Sequence, residues 1–99
     1  MTTSSFKVDG TGFWILKDPA ATLDYMLDWE EWLADDTITA ATWTLTSGIT
    51  KPQEAFTDTT TTVWLAGGSA GTTYTATCHI TTASGRQEDR SFRVICKDR

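Results

Sequence analysis

Apolar and polar residues alternate along much of this chain with a period of two. Over residues 21–29, Leu23, Tyr25, Leu27 and Trp29 are spaced by Thr22, Asp24 and Asp28, the pattern of a half-buried strand; Met26 alone departs from it, on the outer face. In the last third, Tyr74, Ala76, Cys78 and Ile80 alternate with Thr73, Thr75, Thr77 and His79. After Ala83-Ser84-Gly85-Arg86 the alternation resumes, with Phe92, Val94 and Cys96 set against Ser91, Arg93 and Ile95. Two such runs around a glycine-bearing turn predict a β-hairpin. A two-residue Ser84-Gly85 loop sets Cys78 opposite Ser91 and Cys96 opposite Thr73, which separates the sulfurs by roughly 16 Å at the usual strand rise. A disulfide needs Cα atoms within about 7 Å, so both thiols are expected to be free.

The remaining elements are shorter. Strands are expected at Phe13–Lys17, at 37–46, weakly at Ile49–Phe56 where Pro52 interrupts, and at 57–66, with Val63 and Leu65 inward. In 37–46 the parity slips between Ile38 and Ala40 on one side and Trp43 and Leu45 on the other, and a bulge near 40–42 restores a single buried face. Trp29, Trp32 and Leu33 stand at i, i+3 and i+4 behind Asp28, a plausible N-cap, which predicts one helical turn near residues 29–34. Such a turn is too short to stand alone and needs its tryptophans to pin it to a sheet. Residues 67–71 form a loop by composition.

About seven short strands with turn signals between them point to an all-β, immunoglobulin-like two-sheet sandwich over residues 13–97, preceded by a flexible N-terminal arm at 1–12. Gly71-Thr72-Thr73-Tyr74 sits where a tyrosine corner of such a sandwich would be, with the Tyr74 hydroxyl satisfying a backbone group. Trp43 matches the usual core tryptophan, on a strand expected to face Tyr74 across the core.

Composition agrees with this. The chain has 99 residues, enough for one domain, and is rich in threonine and tryptophan, both of which favour strands. Its net charge of −5 is uneven: residues 1–50 sum to −6 and residues 51–99 to +1. A split of this kind suits head-to-tail contact between copies and disfavours phosphate backbones, so nucleic acid is not an expected partner. Acids that merely solvate one face are the simpler reading. Neither a basic start followed by an apolar stretch nor a run long enough to span a bilayer is present, so no export and no membrane are expected, and the cysteines fall by default to a reducing cytoplasm. Two cysteines and one histidine without tight spacing make no zinc site.

Catalytic candidates are few. His79 is expected to face outward among threonines, and Cys78 inward as a small apolar residue. The pairs Glu30-Glu31 and Asp35-Asp36 diverge as chain neighbours and lack the alternation of a calcium loop, so they read as a solvated acidic connector. No catalytic, cofactor or metal residue is expected. Trp14 and Trp64 take the parity opposite to inward neighbours; Trp64 is either an exposed aromatic or one covered by the arm. The candidates for protein contact are Phe6, Trp14, Glu30, Glu31, Asp35, Asp36 and Trp64.

A series of spaced strings carries a resemblance. Lys17-Asp18-Pro19, Leu23-Asp24-Tyr25, Asp28-Trp29 ahead of Trp32-Leu33-Ala34, Asp36-Thr37-Ile38 and Thr42-Trp43-Thr44 lead into FTDTTTTVWLAGG at 56–68, GTTYT at 71–75, ITTASGR at 80–86 and DRSF at 89–92. Together, over residues 14–95, they resemble small structural proteins of tailed bacteriophages, the fiber–tail adaptor or neck-region virion proteins. Met26, Cys78 and His79 depart from that pattern. The resemblance implies a virion protein assembled in many copies at the tail or head–tail junction, a ring-forming homo-oligomer with other tail, adaptor or fiber proteins as partners, made in the host cytoplasm and without catalytic residues. Two other readings are a capsid decoration protein and a carbohydrate-binding module resting on exposed tryptophan.

Overall fold

A computed structural model of the chain describes residues 4–7 and 13–97, with side chains from Trp14 onward. In chain order the elements are β1 (Ser4–Lys7), β2 (Phe13–Lys17), β3 (Leu23–Asp28), a helical turn α1 (Glu30–Leu33), β4 (Ile38–Leu45), β5 (Ile49–Phe56), β6 (Thr60–Gly67), β7 (Thr73–Thr82) and β8 (Gln87–Cys96). They form two four-stranded sheets, ordered β1-β3-β6-β5 and β2-β8-β7-β4. Reading the strands as A, A′, B, C, D, E, F and G gives the ABED and GFC sheets of an immunoglobulin-like sandwich, with the first strand split between them. Strand β1 lies within the stretch expected to be an arm and runs parallel to β3; β2 runs parallel to β8.

Alternation explains the core. Inward positions of β3 (Tyr25, Leu27), β6 (Thr61, Val63, Leu65), β7 (Tyr74, Ala76, Cys78, Ile80) and β8 (Phe92, Val94, Cys96) are buried, and the threonines between them line the outer faces. Phe92 joins the sheets: its ring lies 5.9 Å from Tyr25 in the other sheet and 5.9 Å, edge-on, from Trp43 in its own. Apolar burial of this kind is the main favourable contribution to the fold.

Several expectations shift in detail. Trp43 is buried, but its strand β4 is the ladder neighbour of β7, so Trp43 lies in the same sheet as Tyr74 rather than across from it. The hairpin register differs by one: Cys78 pairs with Arg90 and Thr77 with Ser91. Thr82 N–H donates to the Arg86 carbonyl at 2.9 Å and Gly85 takes φ 91°, so the loop holds residues 83–85. The physical reason is shared burial, because the two-residue register would set inward Cys78 beside outward Ser91. The β4 irregularity falls between Ile38 and Ala40, just ahead of the expected place. Strand β5 continues through Pro52 because it is an edge strand, where a missing N–H leaves no ladder bond unmade; its register with β6 shifts between Thr50 and Gln53. The helical turn is preceded by Trp29, not Asp28, at the N-cap, yet the Asp28 carboxylate still accepts the Glu30 N–H at 3.0 Å.

Candidate functional site

Three connections meet at one end of the sandwich: the β3–β4 segment carrying α1, the β5–β6 turn and the β7–β8 turn. Backbone bonds tie them, from Trp29 N–H to the Thr59 carbonyl, from Ile38 N–H to the Asp58 carbonyl and from Ala83 N–H to the Thr37 carbonyl, each 2.9 Å. The tryptophan pinning holds. Trp29 is fully buried, donates its indole N–H to Thr61 Oγ1 at 3.0 Å, and stacks edge-on against Trp32 at 5.7 Å. In immunoglobulin-like domains the corresponding end groups the loops used for recognition.

Asp36 organises this end. Its carboxylate accepts the backbone N–H of Thr37 (2.9 Å) and of Ser84 (3.2 Å) and the Ser84 hydroxyl, and pairs with Arg86 Nε at 3.5 Å. The Ser84 hydroxyl first, then that of Thr82, holds its pKa well below the usual carboxylate range. Arg86 in turn lies over the Trp32 ring at 4.1 Å and donates to the Trp32 carbonyl at 3.1 Å. Asp36 is thus turned inward, its side chain only 10% exposed. Glu30, Glu31 and Asp35 are exposed beside it, joined by Asp58 from the β5–β6 turn, a residue that spacing along the chain did not bring into view. The outcome is an acidic end at which Arg86 is already engaged by Asp36 and Trp32.

The opposite end is built on close approach. Tyr74 accepts the Ser69 N–H at 2.9 Å through its hydroxyl, as the tyrosine corner requires. Gly48 and Gly68 both have positive φ, and a Cβ on either would come within 2.6 Å of the Tyr74 ring or 2.5 Å of Cys96 Sγ. Lys17 is fully buried here and donates to the carbonyls of Gly67 (2.7 Å) and Asp18 (3.0 Å); burial lowers its pKa from the ordinary lysine value.

Of the other expected contact residues, Trp14 is 55% exposed on β2, whereas Trp64 on β6 is half-buried between its ladder neighbours Asp24 and Gln53. The Phe6 side chain and most of the expected arm lie outside the described residues. Trp14 stands on β2, the outer strand of the β2-β8-β7-β4 sheet, and the acidic connector on the segment that joins β3 to β4. His79 pairs its Nδ1 with the Asp89 carboxylate and its Nε2 with Gln87 Oε1 at 3.1 Å, a cross-strand link between β7 and β8. Cys78 faces the core, its thiol 3.4 Å from Thr61 Oγ1 and its pKa pushed up to about 12 by burial, so it is poorly suited to act as a nucleophile. Among the described residues no three His, Cys, Asp or Glu side chains converge as metal ligands would, and no helix is long and apolar enough to cross a membrane.

The family model described as podophage GP4 fiber-tail adaptor protein gp77 matches residues 17–95. Among curated proteins no sequence matches. Among solved structures, the fold is similar to that of a cysteine protease inhibitor from Entamoeba histolytica, at 11% identity and a TM-score of 0.53, over 96% of this chain and 95% of that one. At that identity the likeness speaks for the sandwich fold alone.

Proposed function

The chain belongs to the podophage fiber-tail adaptor family, and on that premise we propose that it joins fibers to the tail or head–tail junction by protein–protein contact, many copies acting together as a ring. A structural adaptor of the virion is what the family provides; to that role we assign a joining surface. The acidic loop end is that surface, and the observation that carries it is the convergence of Glu30, Glu31, Asp35 and Asp58 on one end while Arg86 is held internally by Asp36 and Trp32. A hydrogen-bonded backbone bearing exposed carboxylates suits a basic patch on another virion protein, where complementary charge sets orientation and encounter rate. The N-terminal stretch 1–12 supplies a second contact.

The test is made on particles. Phage carrying Glu30→Lys, Glu31→Lys and Asp35→Lys together should assemble heads and tails but lack fibers under the electron microscope, with the variant protein folded in the lysate. Deleting residues 2–11, which also removes β1, should have the same result while near-UV circular dichroism shows the rest of the sandwich folded. Particles that keep their fibers when the protein is missing altogether would overturn the adaptor role, and fibers retained by the charge variant would overturn the surface.

A further inference from the structure

Three large apolar side chains stand out in water among the described residues: Trp14 at 55% exposure, Phe56 at 44% and Leu16 at 41%. They fall into two features on opposite sides of the sandwich. Trp14 and Leu16 form a ridge on β2, the outer strand of one sheet, while inward Lys17 on the same strand is buried. Arg93, exposed, is the ladder neighbour of Trp14 and flanks this ridge.

On the other side, β4 and β5 are the outer strands of the two sheets, and between them runs a groove of about 380 Å³ lined by Ala41, Trp43, Glu54, Ala55 and Phe56. Trp43 is 5% exposed, and its buried indole N–H has no hydrogen-bond partner among the described residues. Residues 37–48, which include all of β4, contain no charge to repel an incoming apolar surface, in contrast to the usual defence of an edge strand. Glu54 at the rim, already paired with Lys51 at 3.2 Å, is opposite in sign to Arg93 beside the ridge.

We infer that the Trp14–Leu16 ridge of one copy seats in the β4–β5 groove of the next. The inference rests on the multi-copy reading above and supplies its contact. The occupant is a second copy because the ridge complements the groove: Trp14 and Leu16 supply aromatic and aliphatic bulk to cover exposed Phe56, and Arg93 beside them brings a second cation to Glu54, whose exposed pairing with Lys51 leaves it open to another partner. Ridge and groove are different patches, so the contact is heterologous. Each pair leaves one free ridge and one free groove, and growth stops only when a ring closes.

Heterologous geometry has a decisive signature. In sedimentation velocity of the full-length chain, raised to roughly 1 mM where weak self-contacts become populated, the wild type should form species larger than dimers. Trp14→Asp and Phe56→Asp should each be monomeric. An equimolar mixture should form dimers and nothing larger, since one variant keeps a sound groove and the other a sound ridge. Near-UV circular dichroism checks that both are folded, and Leu16→Glu with Phe56→Ser repeats the experiment should either fail. A wild type that stays monomeric throughout, single variants that assemble normally, or a mixture without dimers would each overturn the contact. Failure of the adaptor role shows separately, as fibers that remain on particles lacking this protein.

Discussion

The two ends of the sandwich are held in opposite ways. At the acidic end, polar side chains do the fastening: one carboxylate, Asp36, gathers two backbone N–H groups, a hydroxyl and a guanidinium. At the Tyr74 end, atoms are held by the absence of side chains, with Gly48 and Gly68 leaving room for a ring and a sulfur. A polar fastening tolerates variation in the exposed residues around it, because their positions are set by bonds to the backbone. Close packing tolerates none, because there is no space to yield. Recognition is therefore easier to place at the first end and rigidity at the second.

That contrast can be broken most sharply at Gly68. Gly68→Ala adds a Cβ that meets Cys96 Sγ at a backbone φ of +101°, and overpacking together with left-handed strain should destabilise the domain by about 3 kcal/mol in urea unfolding. A smaller loss, about 1–2 kcal/mol, is expected for Tyr74→Phe, which leaves the Ser69 N–H without its acceptor. At the polar end, Arg86→Lys removes a planar cation from the Trp32 ring and should lower stability by about 1 kcal/mol.

Asp36 adds a dependence on pH at that end. Folding lowers its pKa, so its contribution is complete above about pH 4 and is lost as the pH falls further, because protonation then favours the unfolded chain. Asp36→Asn should flatten this acid limb of the stability profile; an unchanged limb would show that other carboxylates govern it. The smallest effect is expected where contact is assigned. Glu30→Gln, Glu31→Gln and Asp35→Asn should each alter thermal stability by less than about 0.5 kcal/mol. A larger loss at any of them would show that the acidic end is structural throughout and would erase the contrast.

Much of this was legible along the chain, and the exceptions have causes. Period two disclosed β3, β7 and β8 because each buries one face and wets the other. It is silent on which sheet a strand joins: parity puts Trp43 in the core, and only the ladder between β4 and β7 puts it in the same layer as Tyr74. The hairpin slipped by one because Ser84-Gly85 also fits a tighter turn, and only the joint burial of Cys78 and Phe92 decides between the registers. Asp36 looked like one more solvated acid, since its partners Ser84 and Arg86 lie 48 and 50 residues further along. The groove was hidden for the same reason: Trp43 and Phe56 belong to different sheets and meet only at their edges.

The two buried cysteines bear on what happens when a particle changes surroundings. Cys96 N–H bonds to the Thr72 carbonyl, which puts Cys96 about six residues, or roughly 20 Å, along the sheet from Cys78. Neither thiol can reach the other, and neither meets solvent. Oxidising or reducing surroundings therefore leave the fold without an internal disulfide to make or break.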